Sequence, residues 1–105
     1  MAEVRWSLNA SQDLQELEDF IARDSLLHAI NFIDRVVETA ETLVRNPKLG
    51  RVVPEFGRDD LRELLFRGHR VVYLLRDEVV TILRVVHGAR DLSDLVRREP
   101  WEIDS

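Results

Sequence analysis

The chain has 105 residues, the length of one ordinary domain, and 20 Asp and Glu against 15 Lys and Arg give a formal charge of −5. With 45% hydrophobic and 33% charged residues and only 4 Gly and 3 Pro, the composition excludes a disordered tail or a fibre; the lack of Cys excludes disulfide scaffolds, thiolate metal centres and thiol nucleophiles. The negative charge argues against non-specific binding to the polyanion of DNA or RNA.

In chain order, Ala2-Glu3-Val4-Arg5-Trp6 alternates small or apolar with charged residues and predicts a short half-buried strand. Ser7 to Ser11 offers N-caps, after which Ala10, Leu14, Leu17 and Ile21 form one helical stripe, with Gln12, Asp13, Glu16 and Asp19 on the opposite, solvent side. Ser25 caps a second helix whose stripe runs through Leu26, Ala29, Ile33, Val36 or Val37, Ala40 and Leu43 or Val44, ending at Asn46 and Pro47. The short link between the two helices makes them an antiparallel hairpin. Residues 48–57 read as a loop.

Three β-rich runs follow, Leu61–Arg67, His69–Arg76 and Val79–Val86, separated by Gly68 and by Asp77-Glu78. Asp91 or Ser93 can cap a short last helix through Leu92, Leu95 and Val96, stopped by Pro100, with a frayed tail from Trp101 to Ser105. The order β-α-α-β-β-β plus a last helix predicts an α+β fold in a single domain, residues 1–105: one antiparallel sheet packed against the helical hairpin. The second sheet face is then polar, closed by the C-terminal segment, or offered to a partner. No secretory leader is visible and no apolar run approaches the roughly 20 residues that span a bilayer, so the expected setting is cytoplasmic.

His28, His69 and His87 show no metal-ligand spacing, and neither a phosphate loop nor a nucleophile elbow is present; no metal or cofactor is expected. The basic residues are 14 Arg and 1 Lys. Residues 51–90 carry eight basic against six acidic side chains, whereas residues 1–50 carry five against nine. The strand half is therefore locally basic through Arg, which grips carboxylate or phosphate bidentately. Strict alternation places Arg70 with Val72, Leu74 and Arg76 on one face, Arg84 with Val80, Ile82 and Val86, and His87 with Val85, Leu83 and Thr81. Such Arg residues serve either as ion-pair partners of Glu55, Glu63 or Asp91, or as part of a site.

Several motifs run through most of the chain: Trp6-Ser7, then Ala10-x-x-Asp13-Leu14, then Pro47-x-x-Gly50-Arg51-x-x-Pro54-Glu55. Leu61-Arg62-Glu63, His69-Arg70-Val71-Val72-Tyr73 and Val86-His87-Gly88-x-Arg90 complete the set. Together they resemble the RelE/ParE superfamily of bacterial type II toxins, and the family fold that this implies agrees with the element order above. The resemblance implies one of two activities. ParE-like members, the plasmid-stabilisation or addiction toxins, poison DNA gyrase; RelE-like members are ribosome-dependent mRNA endonucleases. In the nuclease case Glu55, Arg70 and His87 would supply base, phosphate-stabilising cation and acid. Gly88 stands where that branch has a Tyr, and Lys48 is the only lysine, so the ParE-like reading is preferred and no catalytic residue is assigned. The partners implied are a ParD-like ribbon-helix-helix antitoxin in a heterotetramer or larger complex, gyrase as target, and operator DNA only through the antitoxin. Candidate target or antitoxin contacts are Arg51, Arg62, Arg70, Arg84, His87 and Arg90, together with Leu26, Leu27 and Ile30 on the second helix.

Overall fold

In a computed structural model, which describes residues 1–99 and 101, the elements are β1 (Glu3–Trp6), α1 (Leu8–Ala22), α2 (Leu26–Glu41), a 3₁₀ turn (Thr42–Val44), β2 (Arg51–Val52), β3 (Leu61–Phe66), β4 (His69–Arg76), β5 (Val79–His87) and α3 (Leu92–Arg98). The α+β class and element order follow the sequence reading. Local chemistry sets the helix starts. Ser7 Oγ accepts the Ala10 N–H and Ser25 Oγ accepts the His28 N–H, each satisfying a donor that the first turn leaves orphaned. The second helix stops short of the expected end, and its last apolar turn tightens into the 3₁₀ segment.

The sheet has five strands in the order β1-β5-β4-β3-β2. It is mixed: β3, β4 and β5 form an antiparallel meander, but β1 runs parallel to β5, Val4 opposite Val80. Alternation in a four-residue strand is the same for either pairing direction, so the sequence pattern did not distinguish them. Inside the stretch read as a loop, Arg51 and Val52 add β2 to the edge of β3. This loop passes close to β4. A Cβ on Gly50 would lie 2.7 Å from the Tyr73 hydroxyl and 2.6 Å from the Glu63 carbonyl oxygen, so only glycine fits there. The tight β3–β4 turn holds Arg67 at φ 46° and Gly68 at φ 81°.

Both faces are closed. The helical hairpin covers one, with Ala10, Phe32, Val36, Ala40 and Leu43 packing on Val71, Tyr73, Val80, Ile82 and Val85. On the other, Leu92, Leu95 and Trp101 pack on Val53, Leu61, Val72, Leu74, Leu83 and Val86. The second face is thus closed by the C-terminal segment. Trp101, expected in a frayed tail, is buried edge-on against Phe56; Glu102 to Ser105 and Pro100 lie outside the described residues.

A bulge corrects the expected alternation of β5. Val72 pairs with Arg84 but Tyr73 pairs with Ile82, so Leu83 is an extra residue that reverses the pattern. Val80 and Ile82 face the hairpin and so does Val85, whereas Leu83 and Val86 face α3. Arg84 therefore does not share a face with Val80 and Ile82, and Leu83 does not share one with His87. Among the described residues no helix is long and apolar enough to cross a membrane.

Candidate functional site

The strongest concentration of charge lies on the α3 face of the sheet. β4 presents Arg70 there, opposite Val86 of β5, and β3 presents Glu63, opposite Val72. Arg70 is 5% exposed and Glu63 1%. Arg70 Nε donates to Glu63 Oε1 at 2.7 Å, and NH2 also lies 2.6 Å from that oxygen. NH1 and NH2 donate to the two oxygens of Glu55, each at 2.7 Å, and NH1 reaches the Arg90 carbonyl at 3.3 Å. Of the five N–H donors of the guanidinium, four make these hydrogen bonds, and the NH2 group also lies in ion-pair contact with Glu63.

The surrounding groups complete a closed network. Arg51 Nε donates to the other Glu63 oxygen at 2.7 Å, and the Leu92 N–H donates to Glu55 Oε2 at 3.1 Å. Glu55 thus joins Arg70 to the first residue of α3. The hydrogen bonds from Arg70 hold the Glu55 carboxyl down to about 2, well below the ordinary 4.5, despite the opposing effect of burial. The same bonds push the Arg70 guanidinium upward. Glu55 is accordingly a weak proton acceptor and is never protonated near neutrality.

The structure brings Glu55 and Arg70 together but sets His87 apart. His87 lies opposite His69 in the register, their rings 5.8 Å apart edge to face, and His69 in turn packs on Phe32 of α2. This stack sits on the hairpin side of the sheet, whereas Arg70 faces α3. His87 Nδ1 accepts the Ala89 N–H at 3.2 Å, so in the neutral ring Nε2 carries the proton. Both histidines line an open, polar cleft of about 430 Å³ between α1 and the end of β5, with Glu16, Arg84, Arg90 and Glu99.

Arg84 is a second buried cation. Its Nε and NH2 grip Asp13 at 2.8 and 3.0 Å, NH1 reaches Glu99 at 2.9 Å, and Asp13 also accepts the Val85 N–H. The hydrogen bonds that Arg84 donates to Asp13 are the main reason its guanidinium is pushed up. Asp13, expected on the solvent side of α1, is instead 9% exposed. Its placement is a tertiary effect: β1 ends at Trp6, and Asp13 covers an edge amide of β5 that no strand reaches.

Of the other candidates, Arg62 folds back onto Asp59 and the Gly50 carbonyl, Arg51 serves Glu63, and Arg90 is exposed at the rim of the cleft. Leu26, Leu27 and Ile30 are 64%, 70% and 45% exposed at the hairpin end of α2, and Phe20 of α1 is a fourth apolar residue there at 65%. Phe20 was missed because the stripe of α1 does not include it; a large apolar residue lying off that stripe was the available signal. Glu63, named in the sequence as an ion-pair partner of the strand arginines, does pair with Arg70 and Arg51, and its burial follows from its alternation with Leu61 on the covered strand face. Among the described residues no group of three or more His, Asp or Glu is placed to hold a metal.

Comparison with known proteins bears on this geometry. Residues 4–92 match the family model described as the ParE toxin of the type II toxin–antitoxin system parDE. The chain is 34% identical over 91 residues to Toxin RelE2 of Caulobacter vibrioides, covering 86% of this chain and 99% of that protein. A chain in the structure of the chromosomal ParDE TA system from P. aeruginosa superposes with a TM-score of 0.69 at 21% identity, over 83% of this chain and 96% of that one, which shows a shared fold. The chain belongs to the ParE toxin family and is a toxin of the type II toxin–antitoxin class.

Proposed function

We propose that this toxin acts in the cytoplasm as a ParE-like inhibitor that poisons DNA gyrase by binding, and that a ParD-like ribbon-helix-helix antitoxin holds it inactive in a heterotetramer or larger complex. The observation that carries this reading is the engagement of every Arg70 nitrogen. Cleavage through a ribose 2′-OH needs a cation free to meet the charge of the phosphorane, together with a base and an acid on the same side of the substrate. All three nitrogens of Arg70 are engaged by Glu55 and Glu63, Glu55 is committed to it and to Leu92, and His87 stands on the other face. A binding inhibitor needs none of these groups free. The exposed Phe20, Leu26, Leu27 and Ile30 supply an apolar surface on which an amphipathic antitoxin helix can lie. Operator DNA is then contacted only through the antitoxin, in keeping with the net charge of −5.

The test is a supercoiling assay with purified gyrase and the purified toxin. Loss of supercoiling with accumulation of cleaved DNA is expected, reversed by the antitoxin. Unchanged supercoiling, with no DNA-damage response on expression, overturns the reading. A second reading, a RelE-like mRNA endonuclease, is favoured by the 34% identity to the relative named Toxin RelE2. In that case wild-type toxin cleaves mRNA on ribosomes and His87→Ala abolishes the cleavage; no cleavage by the wild type removes it.

A further inference from the structure

The exposed apolar residues at the hairpin end, Phe20 of α1 and Leu26, Leu27 and Ile30 of α2, are bordered by carboxylates. Glu16 lies one helical turn before Phe20. Asp34 lies one turn after Ile30 and, at spacings of three and four, on the same face of α2 as Leu27 and Ile30. Asp19 adjoins Phe20, and Asp24 stands in the turn between the helices. All four carboxylates are exposed. Asp19 accepts a hydrogen bond from the neutral Gln15, and among the described residues none of the four is in an ion pair. The hairpin's own surface ion pair, Arg35 with Glu38 at 4.0 Å, lies further along α2. Between Leu8 and Asp34 the only Arg or Lys is Arg23, and its guanidinium lies over the Phe20 ring, 5.7 Å from the ring centre.

The sign of this rim decides what the patch can receive. A second copy of the chain, related by a two-fold axis, would bring the same patch and set carboxylate against carboxylate. An anionic membrane surface or a nucleic acid is repelled for the same reason. An amphipathic helix with acidic borders would meet like charge on both sides of its apolar stripe. A helix with cationic borders meets unpaired carboxylates instead, and their field speeds its approach.

Resting on the reading above that an antitoxin helix lies on the hairpin end, we infer that this helix carries Lys or Arg along the borders of its apolar stripe, placed to meet Glu16 and Asp34. The apolar stripe supplies the contact with Phe20, Leu26, Leu27 and Ile30, and the borders supply the choice of partner. Rim charges of this kind act mainly on the rate of association and on its dependence on salt.

The experiment titrates the ¹⁵N-labelled full chain with two helical peptides of about 18 residues that share one leucine stripe, bordered by Lys in the first and by Glu in the second. At about 50 mM NaCl the Lys-bordered peptide is expected to bind about tenfold more tightly and to shift the amides of Phe20, Leu27 and Ile30 along one saturable curve. At about 500 mM the difference should shrink, because exposed charges are screened. Glu16→Lys with Asp34→Lys, both at exposed positions, should invert the preference, and Leu27→Ser should weaken both peptides. Equal affinity for the two peptides, a tighter Glu-bordered peptide, or a preference that the double reversal leaves unchanged overturns the proposal. Purified antitoxin separates these failures from that of the reading underneath. Binding that both Leu27→Ser and the double reversal weaken upholds the two together. Binding that Leu27→Ser weakens and the double reversal does not overturns the cationic borders alone, and binding indifferent to Leu27→Ser overturns the antitoxin as occupant.

Discussion

The two faces of the sheet are closed by different physics. Under the hairpin, two helices of 15 and 16 residues lay an apolar surface on Val71, Tyr73, Val80, Ile82 and Val85. Under α3, seven helical residues and Trp101 cover a smaller apolar patch, and beside it Arg70 ties Glu63 to Glu55 and through it to Leu92. A long amphipathic helix needs only burial to stay in place. A short one brings too little apolar area, and here its first residue is anchored by a charged group that is itself anchored. The apolar face should therefore respond to damage in proportion to the atoms removed, and the ionic face as a unit.

The largest effect should come from breaking the unit. Arg70→Ala leaves the Glu63 carboxylate buried with Arg51 as its remaining cation and should cost about 3–5 kcal/mol in urea unfolding. The double change Arg70→Met with Glu63→Leu should cost much less than the sum of its parts, because no uncompensated charge remains. Additive losses would show that the network is not cooperative and would erase the contrast between the faces.

Acid should reveal the same unit. Above pH about 4.5, Glu55 is ionised in both folded and unfolded chains and its stabilisation is fully present. As the pH falls, the unfolded chain takes up the proton first, so stability declines until the folded carboxyl is itself protonated near pH 2. Urea midpoints measured across that interval should fall more steeply for the wild type than for Glu55→Gln. Parallel pH profiles would mean that Glu55 is not held by Arg70 in solution.

On the apolar face, Ile82→Val should cost about 1 kcal/mol, the graded loss expected for a single methylene. The smallest effect on stability belongs to the exposed hairpin end. Leu27→Glu should change unfolding by less than about 0.5 kcal/mol while weakening antitoxin binding at least about tenfold in calorimetry. Unaltered antitoxin affinity would move that contact elsewhere.

Much of the architecture was legible along the chain because it rests on local rules. Ser7 and Ser25 mark the helix starts through their own side chains, the 3.6-residue stripes give the hairpin, and β-branched residues around Asp77-Glu78 give the last two strands. The alternation of β4 also survived folding: Arg70, Val72 and Leu74 do face away from the hairpin. In β5 it did not, since one extra residue at Leu83 is set by pairing with β4 and leaves no mark in composition.

The site was legible in its residue types and illegible in its pairings. The sequence by itself determined an α+β toxin fold, an arginine-rich strand half and the carboxylates able to meet it. Only the tertiary structure decided that Arg70 is spent on Glu55 and Glu63, that Asp13 turns inward to Arg84, that β1 runs parallel to β5, and that Trp101 closes the second face. The reason is range. Caps and stripes depend on neighbours within a turn or two of chain, whereas Asp13 and Arg84 are 71 residues apart and Glu55 and Arg70 are 15 apart, so their meeting depends on how the whole sheet is assembled.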